Sequence, residues 1–563
     1  MSDLIKILPG LAKVLVRGSS HISLDAFKAA TAVSGHFVDA YESYGPTPSS
    51  PPSSSASSSS SSSSSAFIDS TRKSLQSTIN PTPTFTSSDV PQSRLQRAST
   101  YTSLALSMLT SSNRGDTLTA YLCRLRGGAL KLGQMLSIQE DSLLPTEWVQ
   151  ALERVRKAAD VMPEAEVDRV LEEAYGSKYA ADLASGEGIL GTLVPPPSSA
   201  SSTSSTSSTS TPSSTPSTPY SSTPSTPYSS SLSPSSFLPS LPLTSLSSSP
   251  LASASIGQVH KGALSDGTWV VAKLQYPGIQ QAIDSDLANL QMIISYTNLI
   301  PKGVFINDII KEGRKELSNE CNYINELTSQ SMFHSFVNSD PQLVSLGFQV
   351  PRVAPSLSTE NVLVTEFAFG YSIDKCVDLP QEDRDRIARG VLRLTLLELF
   401  VWRFMQTDPN WGNFIFDPTT QTVSLIDFGG ARSFDKDFVD GYREIVWAAA
   451  NQDEEGIMSR SIDMKFLTGK ENQIMLDAHL QAGLILGEPF RSSTPYDFAA
   501  SRITSRIADQ AKVFTEHRLQ APPTEVYTLH RKLAGAFLLA IKLKAKVNCR
   551  DIMEEVYTAS KKS

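Results

Sequence analysis

The sequence contains no run of about 18 consecutive apolar residues, so no membrane-spanning helix is expected and any membrane contact has to be peripheral. Cysteine is scarce. The four present, Cys123, Cys321, Cys376 and Cys549, are scattered without metal-ligand spacing, and the seven histidines form no cluster with them. That excludes a zinc module and a disulfide framework, and predicts reduced, mostly buried thiols. A basic excess is also missing: 49 Lys and Arg face 57 Asp and Glu, for a net charge of −8, and no dense Lys/Arg stripe interrupts the acidic balance. A nucleic-acid binder is therefore excluded.

Two tracts lack the large apolar side chains a core needs. Pro46 to Ala66 is almost pure serine and proline, and Pro195 to Pro250 is Ser/Thr/Pro-rich. Such segments bury too little surface to offset chain entropy. Subtracting them leaves one large unit rather than the several domains that 563 residues alone suggest. The predicted organisation is a targeting or interfacial segment at 1–45, a Ser/Pro-rich linker at 46–90, a helical extension at 91–194, a low-complexity insertion at 195–249, an N-lobe at 250–370 and a C-lobe at 371–563. The first 20 residues combine Leu4, Ile5, Leu8, Leu11, Val14 and Leu15 with Lys6, Lys13 and Arg17, as an import helix or an interfacial helix would, while Asp3 and Pro9 fit an import helix poorly. The apolar stretch Leu533 to Ile541 reads as a core helix.

What is present is most informative at Asp408-Pro409-Asn410-Trp411-Gly412-Asn413, followed by Asp427-Phe428-Gly429. The spacing matches that with which protein kinases place a catalytic Asp and two magnesium ligands. The chemistry calls for one carboxylate to orient or deprotonate the attacking oxygen, and an amide oxygen plus a second carboxylate to hold Mg²⁺ against the phosphates. Asp417-Pro418-Thr419-Thr420 is a turn between the apolar run Phe414 to Phe416 and the alternating Val423, Leu425 and Asp427, which predicts a hairpin flanked by both metal ligands.

Upstream, Thr268 to Leu274 reads as a strand whose period of two puts Val271 and Lys273 on one face and Val270, Ala272 and Leu274 on the other. Val271 would roof an adenine and Lys273 would face the phosphates. A carboxylate partner is expected on a helix over Phe305 to Phe333, where Glu316 and Glu320, four apart, share a face. The ordinary protein-kinase pattern fails elsewhere. Leu251 to His260 holds alanines and serines with one glycine where a glycine-rich loop belongs, and Gln406-Thr407 stands before Asp408 in place of His-Arg. After Gly429 no Ala-Pro-Glu appears, and a helix is expected near Asp435, leaving little room for a peptide-docking segment.

These departures, taken with Lys131-Leu132-Gly133-Gln134, Lys273-Leu274-Gln275-Tyr276-Pro277-Gly278 and Thr407-Asp408-Pro409-Asn410-Trp411, resemble the UbiB family of atypical kinases, in its mitochondrial coenzyme Q group. Ser461 to Gly469 and Leu529 to Lys532 resemble that group as well, and the likeness covers about residues 91–194 and 250–558. The resemblance implies an α+β, protein-kinase-like bilobal fold with an N-terminal helical extension. It implies ATP or ADP and Mg²⁺ as cofactors, and ATPase activity supporting ubiquinone biosynthesis. Implied partners are the coenzyme Q biosynthetic enzyme complex, a coenzyme Q precursor lipid, and the matrix face of the inner mitochondrial membrane with cardiolipin.

Residue by residue, the resemblance implies Lys273, Glu320 and Asp408 as catalytic and Asn413 and Asp427 as metal ligands. Ala252, Ser253, Ala254, Ser255, Glu366 and Phe367 would join Lys273 around the nucleotide, and Lys131, Gly133 and Gln134 would be regulatory, on a helix lying over the site. On periodicity alone that helix docks through Leu132, Met135 and Leu136. Two positions depart from the family pattern: Ser253 is the middle of an alanine triplet, and Glu320-Cys321-Asn322 stands for Glu-x-Asp. Two function classes fit the chain, a kinase-fold ATPase and a nucleotide-binding pseudoenzyme acting as a lipid-binding scaffold or chaperone. A conventional protein Ser/Thr kinase fits least.

Overall fold

The computed structural model describes residues 162–176, 233–254, 256–297 and 306–562, together with Thr100, Ser103 and Ser107. The expectations for 1–45, 46–90, the Lys-x-Gly-Gln helix, Cys123 and Ser255 fall outside these residues.

The N-lobe is built on a five-stranded antiparallel sheet in which β1 (Leu243–Leu246), β3 (Gly257–Leu264), β4 (Trp269–Gln275) and β6 (Val362–Glu366) lie side by side, with the short β2 (Ala252–Ser253) also on β3. Alternation explains its burial. Val270, Ala272 and Leu274 are fully buried on one face of β4, while Val271 and Lys273 on the other are partly open. The sheet begins earlier than the composition indicates. Leu238, Leu243 and Leu246 are buried in this lobe's core, so the insertion does not extend to residue 249 and the N-lobe begins before 250. Serine and threonine hide the strand from a composition count, yet Leu243 and Leu246 suffice to anchor it.

Helix α1 (Glu164–Tyr175) docks on this sheet through Val167, Val170 and Leu171. Just before it, the Met162 N–H donates to the buried Gln258 side chain at 2.8 Å, and Tyr175 Oη donates to the Leu357 carbonyl at 2.6 Å. The end of the helical extension is thereby fixed to the N-lobe. Helix α2 (Ile279–Thr297) follows β4 and packs on α3 (Ile306–Glu320). The single helix expected over 305–333 is in fact two. It stops after Glu320, and α4 (Tyr323–Ser339) starts anew because the Asn322 side chain accepts from the Ile324 and Asn325 N–H groups, a cap of the ordinary asparagine kind.

The C-lobe is centred on α5 (Gln381–Phe400), against which the later helices α10 (Thr524–Lys542) and α11 (Cys549–Ser560) pack. Between α5 and α10 run β8 (Phe404–Gln406), the hairpin β9 (Phe414–Asp417) and β10 (Thr422–Leu425), β11 (Ala431–Ser433), and helices α6 (Lys436–Ala450), α7 (Glu454–Asp463), α8 (Gln473–Gly487) and α9 (Ile503–His517). β5 (Phe348–Gln349) and β7 (Tyr371–Ser372) complete the hairpin's sheet. The apolar stretch 533–541 lies within α10 and buries Ala536, Phe537, Leu539 and Ala540, as a core helix should. A buried pair, Lys532 to Glu398 at 3.3 Å, joins α10 to α5. Cys321, Cys376 and Cys549 are buried free thiols.

Candidate functional site

The cleft face of the N-lobe is a grid set by strand register. Across β3, β4 and β6 one row reads Val259, Lys273, Leu363 and the next Lys261, Val271, Thr365. Directly opposed residues share a face, so Val271 and Lys273 stand neighbour to neighbour as the alternation predicts. Lys273 is not left in solvent. Its ammonium donates to both oxygens of Glu326, at 2.8 and 2.9 Å, and lies 3.8 Å from Asp427 Oδ1.

The expected partner was Glu320, with Glu316 as the other candidate; the structure places Glu326 there instead. The helix break is the cause. Asn322 restarts the helix, and one turn into α4 the Glu326 carboxylate comes under β4, whereas Glu320 ends α3. Glu320 is itself buried and sits beside Gly429, close enough to Glu326 for their charges to interact. Burial pushes the Glu326 carboxyl up to about 7 while Lys273 opposes it, and Asp427 adds to the rise. For Lys273 burial works against the charge, but Asp427 and Glu326 hold the ammonium well above its usual range. We read the pair as charged, because both Glu326 oxygens accept from the ammonium.

The opposite wall comes from the C-lobe. The Asn413 side-chain amide donates to Asp408 Oδ2 at 3.2 Å, and the Asn410 N–H donates to the other Asp408 oxygen at 3.2 Å. The Ile426 N–H donates to the Asn413 carbonyl at 2.9 Å, which sets Asp427 beside Asn413 across the hairpin. Asp427 is held in turn by the Gly429 N–H at 3.0 Å. Gln406 spans the site, donating to the Asp427 carbonyl at 3.1 Å and accepting from the Asp408 N–H. Thr407, the other residue replacing His-Arg, donates through its hydroxyl to the Gly430 carbonyl at 2.7 Å. These two side chains tie the Asp408–Asn413 loop to the Asp427-Phe428-Gly429 turn. Nothing in the sequence patterns flags a further support. The Trp411 indole donates to the Gly535 carbonyl of α10 at 3.1 Å, and a side chain at Gly535 would collide with Pro409.

Ala252 and Ser253 pair with Val259 and Gln258, so the alanine-rich loop is a short strand folded onto β3. Ser253 exchanges a hydrogen bond with Tyr276 Oη at 2.7 Å, and the Ala254 N–H donates to the Gly257 carbonyl at 2.7 Å. At the end of β6, the Glu366 carboxylate is clamped by Arg352 through bonds of 3.0 and 2.9 Å, and the Phe367 N–H donates to the Trp269 carbonyl at 2.9 Å. The Glu366 carboxylate and the Phe367 N–H are thus both engaged within the N-lobe. The structure brings Lys273, Asp408, Asn413 and Asp427 into one cleft, with Glu326 in place of Glu320.

The donor set suits Mg²⁺. Asn413 spends its amide N–H on Asp408, which leaves its oxygen to face a cation, and Asp427 supplies a carboxylate. Among the described residues no group of three or more His, Cys, Asp or Glu could hold a metal by itself.

Comparison with known proteins adds the lineage. Residues 239–461 match the ABC1 atypical kinase-like domain. The chain is 38% identical over 449 residues to a rat protein named atypical kinase COQ8B, mitochondrial, covering 80% of this chain and 72% of that one. It is 38% identical to the Caenorhabditis elegans atypical kinase coq-8, mitochondrial, covering 79% of this chain and 51% of the relative. Against the Saccharomyces cerevisiae atypical kinase COQ8, mitochondrial, identity is 32%, with 84% and 87% covered. With this extent of likeness on a kinase-like cleft, the chain belongs to the UbiB family of atypical kinases.

Proposed function

We propose that this protein is a Mg²⁺-dependent ATPase of the kinase fold that supports coenzyme Q biosynthesis, by promoting the biosynthetic enzyme complex or handling its lipid precursors. The observation that carries the reading is the position of Lys273, fixed by Glu326 and set 3.8 Å from Asp427 in the cleft that also holds Asp408 and Asn413. A carboxylate-anchored lysine beside a metal-ligand pair binds nucleotide phosphates in kinase-fold proteins. Bound there, Mg²⁺ would neutralise charge developing on the phosphates. Lys273 would hold those phosphates in place. Asp408, steadied by Asn413 and the Asn410 N–H, would orient the attacking oxygen and take its proton. Val271 roofs the base, with Thr365 beside it in the same row.

The segment after Gly429 disfavours a conventional protein kinase. Ala431, Arg432 and Ser433 pair directly with Gln406, Met405 and Phe404, and α6 begins at Lys436, capped by Asp435. No peptide-docking segment fits between. The rat, nematode and yeast relatives are called mitochondrial, and no helix among the described residues is long and apolar enough to cross a membrane. The proposed place is peripheral, on the matrix face of the inner mitochondrial membrane, and the relatives' names support its mitochondrial part. Phosphate release from Mg-ATP, measured with and without cardiolipin-rich liposomes, tests the proposal. Release above background is expected, and tight Mg-nucleotide binding with no release in either condition would favour the pseudoenzyme scaffold instead.

A further inference from the structure

Tyr323, the first residue of α4, is fully buried, and among the described residues its hydroxyl makes no hydrogen bond. Buried hydroxyls are normally satisfied, because the desolvation of an orphan goes uncompensated. The position of this one is informative. The Lys273 ammonium lies 5.2 Å from the centre of the Tyr323 ring, and a Cβ added at Gly257 would sit 2.6 Å from the hydroxyl. Gly257 opposes Gln275, and the two-residue alternation puts both on the face that carries Val259 and Lys273. The hydroxyl therefore lies one row beyond Lys273, under the end of the alanine-rich loop. Glycine is required there, since any side chain would displace the phenol or strike the Leu274 carbonyl. Burial pushes the phenol well above its usual range, with Lys273 opposing and Glu326, Cys321 and Asp427 adding, so the group stays a protonated donor.

We infer that the Tyr323 hydroxyl is a phosphate-binding donor, giving its hydrogen bond to a phosphate oxygen of the nucleotide beside Lys273. The inference rests on the nucleotide-binding function proposed for this cleft. It also accounts for the orphan: a phosphate oxygen would accept from a buried hydroxyl that no described protein group satisfies. The hydroxyl lies beneath Gly257, on the face of β3 and β4 that carries Lys273.

Tyr323→Phe removes one oxygen and keeps the ring. The ligand-free variant should melt at or above the parent's temperature, while its affinity for Mg-ADP and Mg-ATP falls by about tenfold, as expected for one bond to a charged group. Binding of adenosine, which carries no phosphate, should match the parent. Unchanged Kd values for Mg-ADP and Mg-ATP would overturn the inference, as would an equal loss for adenosine. If the parent itself fails to bind Mg-ADP, the nucleotide-site reading falls; if the parent binds and Tyr323→Phe binds equally well, only the role of Tyr323 does.

Discussion

Replacing Glu326 with Gln tests which carboxylate holds Lys273. Glu326 is 1% exposed and Lys273 14%, so the ammonium cannot exchange its partner for bulk water. Removing one member of a buried ion pair costs about 3–5 kcal/mol. Gln keeps an acceptor, and Asp427 remains 3.8 Å away, which places the expected loss at the lower end, about 3 kcal/mol. For a unit of this size each kcal/mol moves the melting temperature by about 2 °C, so a fall of about 6 °C is expected. Freed from Glu326, Lys273 should swing toward Asp427 and compete for the carboxylate proposed to face the metal, so Mg-ADP affinity should drop by about tenfold or more. Thermal melts and titration calorimetry on Glu326→Gln and Glu320→Gln, side by side, read both effects. If Glu320→Gln loses nucleotide binding and Glu326→Gln keeps it, the assignment of the pair is wrong.

Burial leads to two further outcomes. Replacing residues 198–230 with a short Gly/Ser linker should leave the melting temperature and phosphate release nearly unchanged, since each doubling of a loop costs about 0.6 kcal/mol; extending the deletion through Leu246 should destabilise the N-lobe sharply, because Leu238, Leu243 and Leu246 are in its core, and equal melts for the two deletions would contradict this. His530 and His479 are both lowered to about 4, first by burial, then by Arg518, with His479 also acting on His530. The unfolded chain takes up these protons near pH 6.5 and the folded chain resists until about pH 4, so protons favour unfolding in that window. Stability is fully present above 6.5 and lost on acidification, by up to about 1.4 kcal/mol per pH unit for each imidazole. The raised carboxyls of Glu326 and Glu398 act in the opposite sense over the same window, equally in parent and variant, so the difference is what reads His530: between pH 7 and pH 5 the urea midpoint of His530→Phe should fall less, or rise more, than that of the parent, and a parallel course in the two proteins would refute the role of His530.

Much of the site was legible because its chemistry is written in short, local spacing. The alternation in β4 put Val271 and Lys273 on one face, and Phe414 to Phe416 and Val423 to Leu425 paired across the Asp417 turn as drawn. What escaped depends on tertiary geometry. Helical periodicity cannot register that Asn322 stops one helix and starts another, and that break is what moves the lysine's partner from Glu320 to Glu326. The strand Leu243–Leu246 lay hidden in a serine-rich tract because burial of two leucines outweighs composition. The support of the Asp408–Asn413 loop by Gly535, and the orphan hydroxyl of Tyr323, come from residues distant in sequence that only packing brings together.

The central claim is that Asp427 and Asn413 present a metal ion to nucleotide phosphates held by Lys273. The most direct measurement is the thermal stabilisation of the parent and of Asp427→Asn by ADP, with Mg²⁺ and with excess chelator. The account predicts a rise in melting temperature for the parent that requires Mg²⁺, and little or none for Asp427→Asn, because without that carboxylate the metal is not held against the phosphate charge. Equal, Mg²⁺-dependent stabilisation of the two proteins would contradict it.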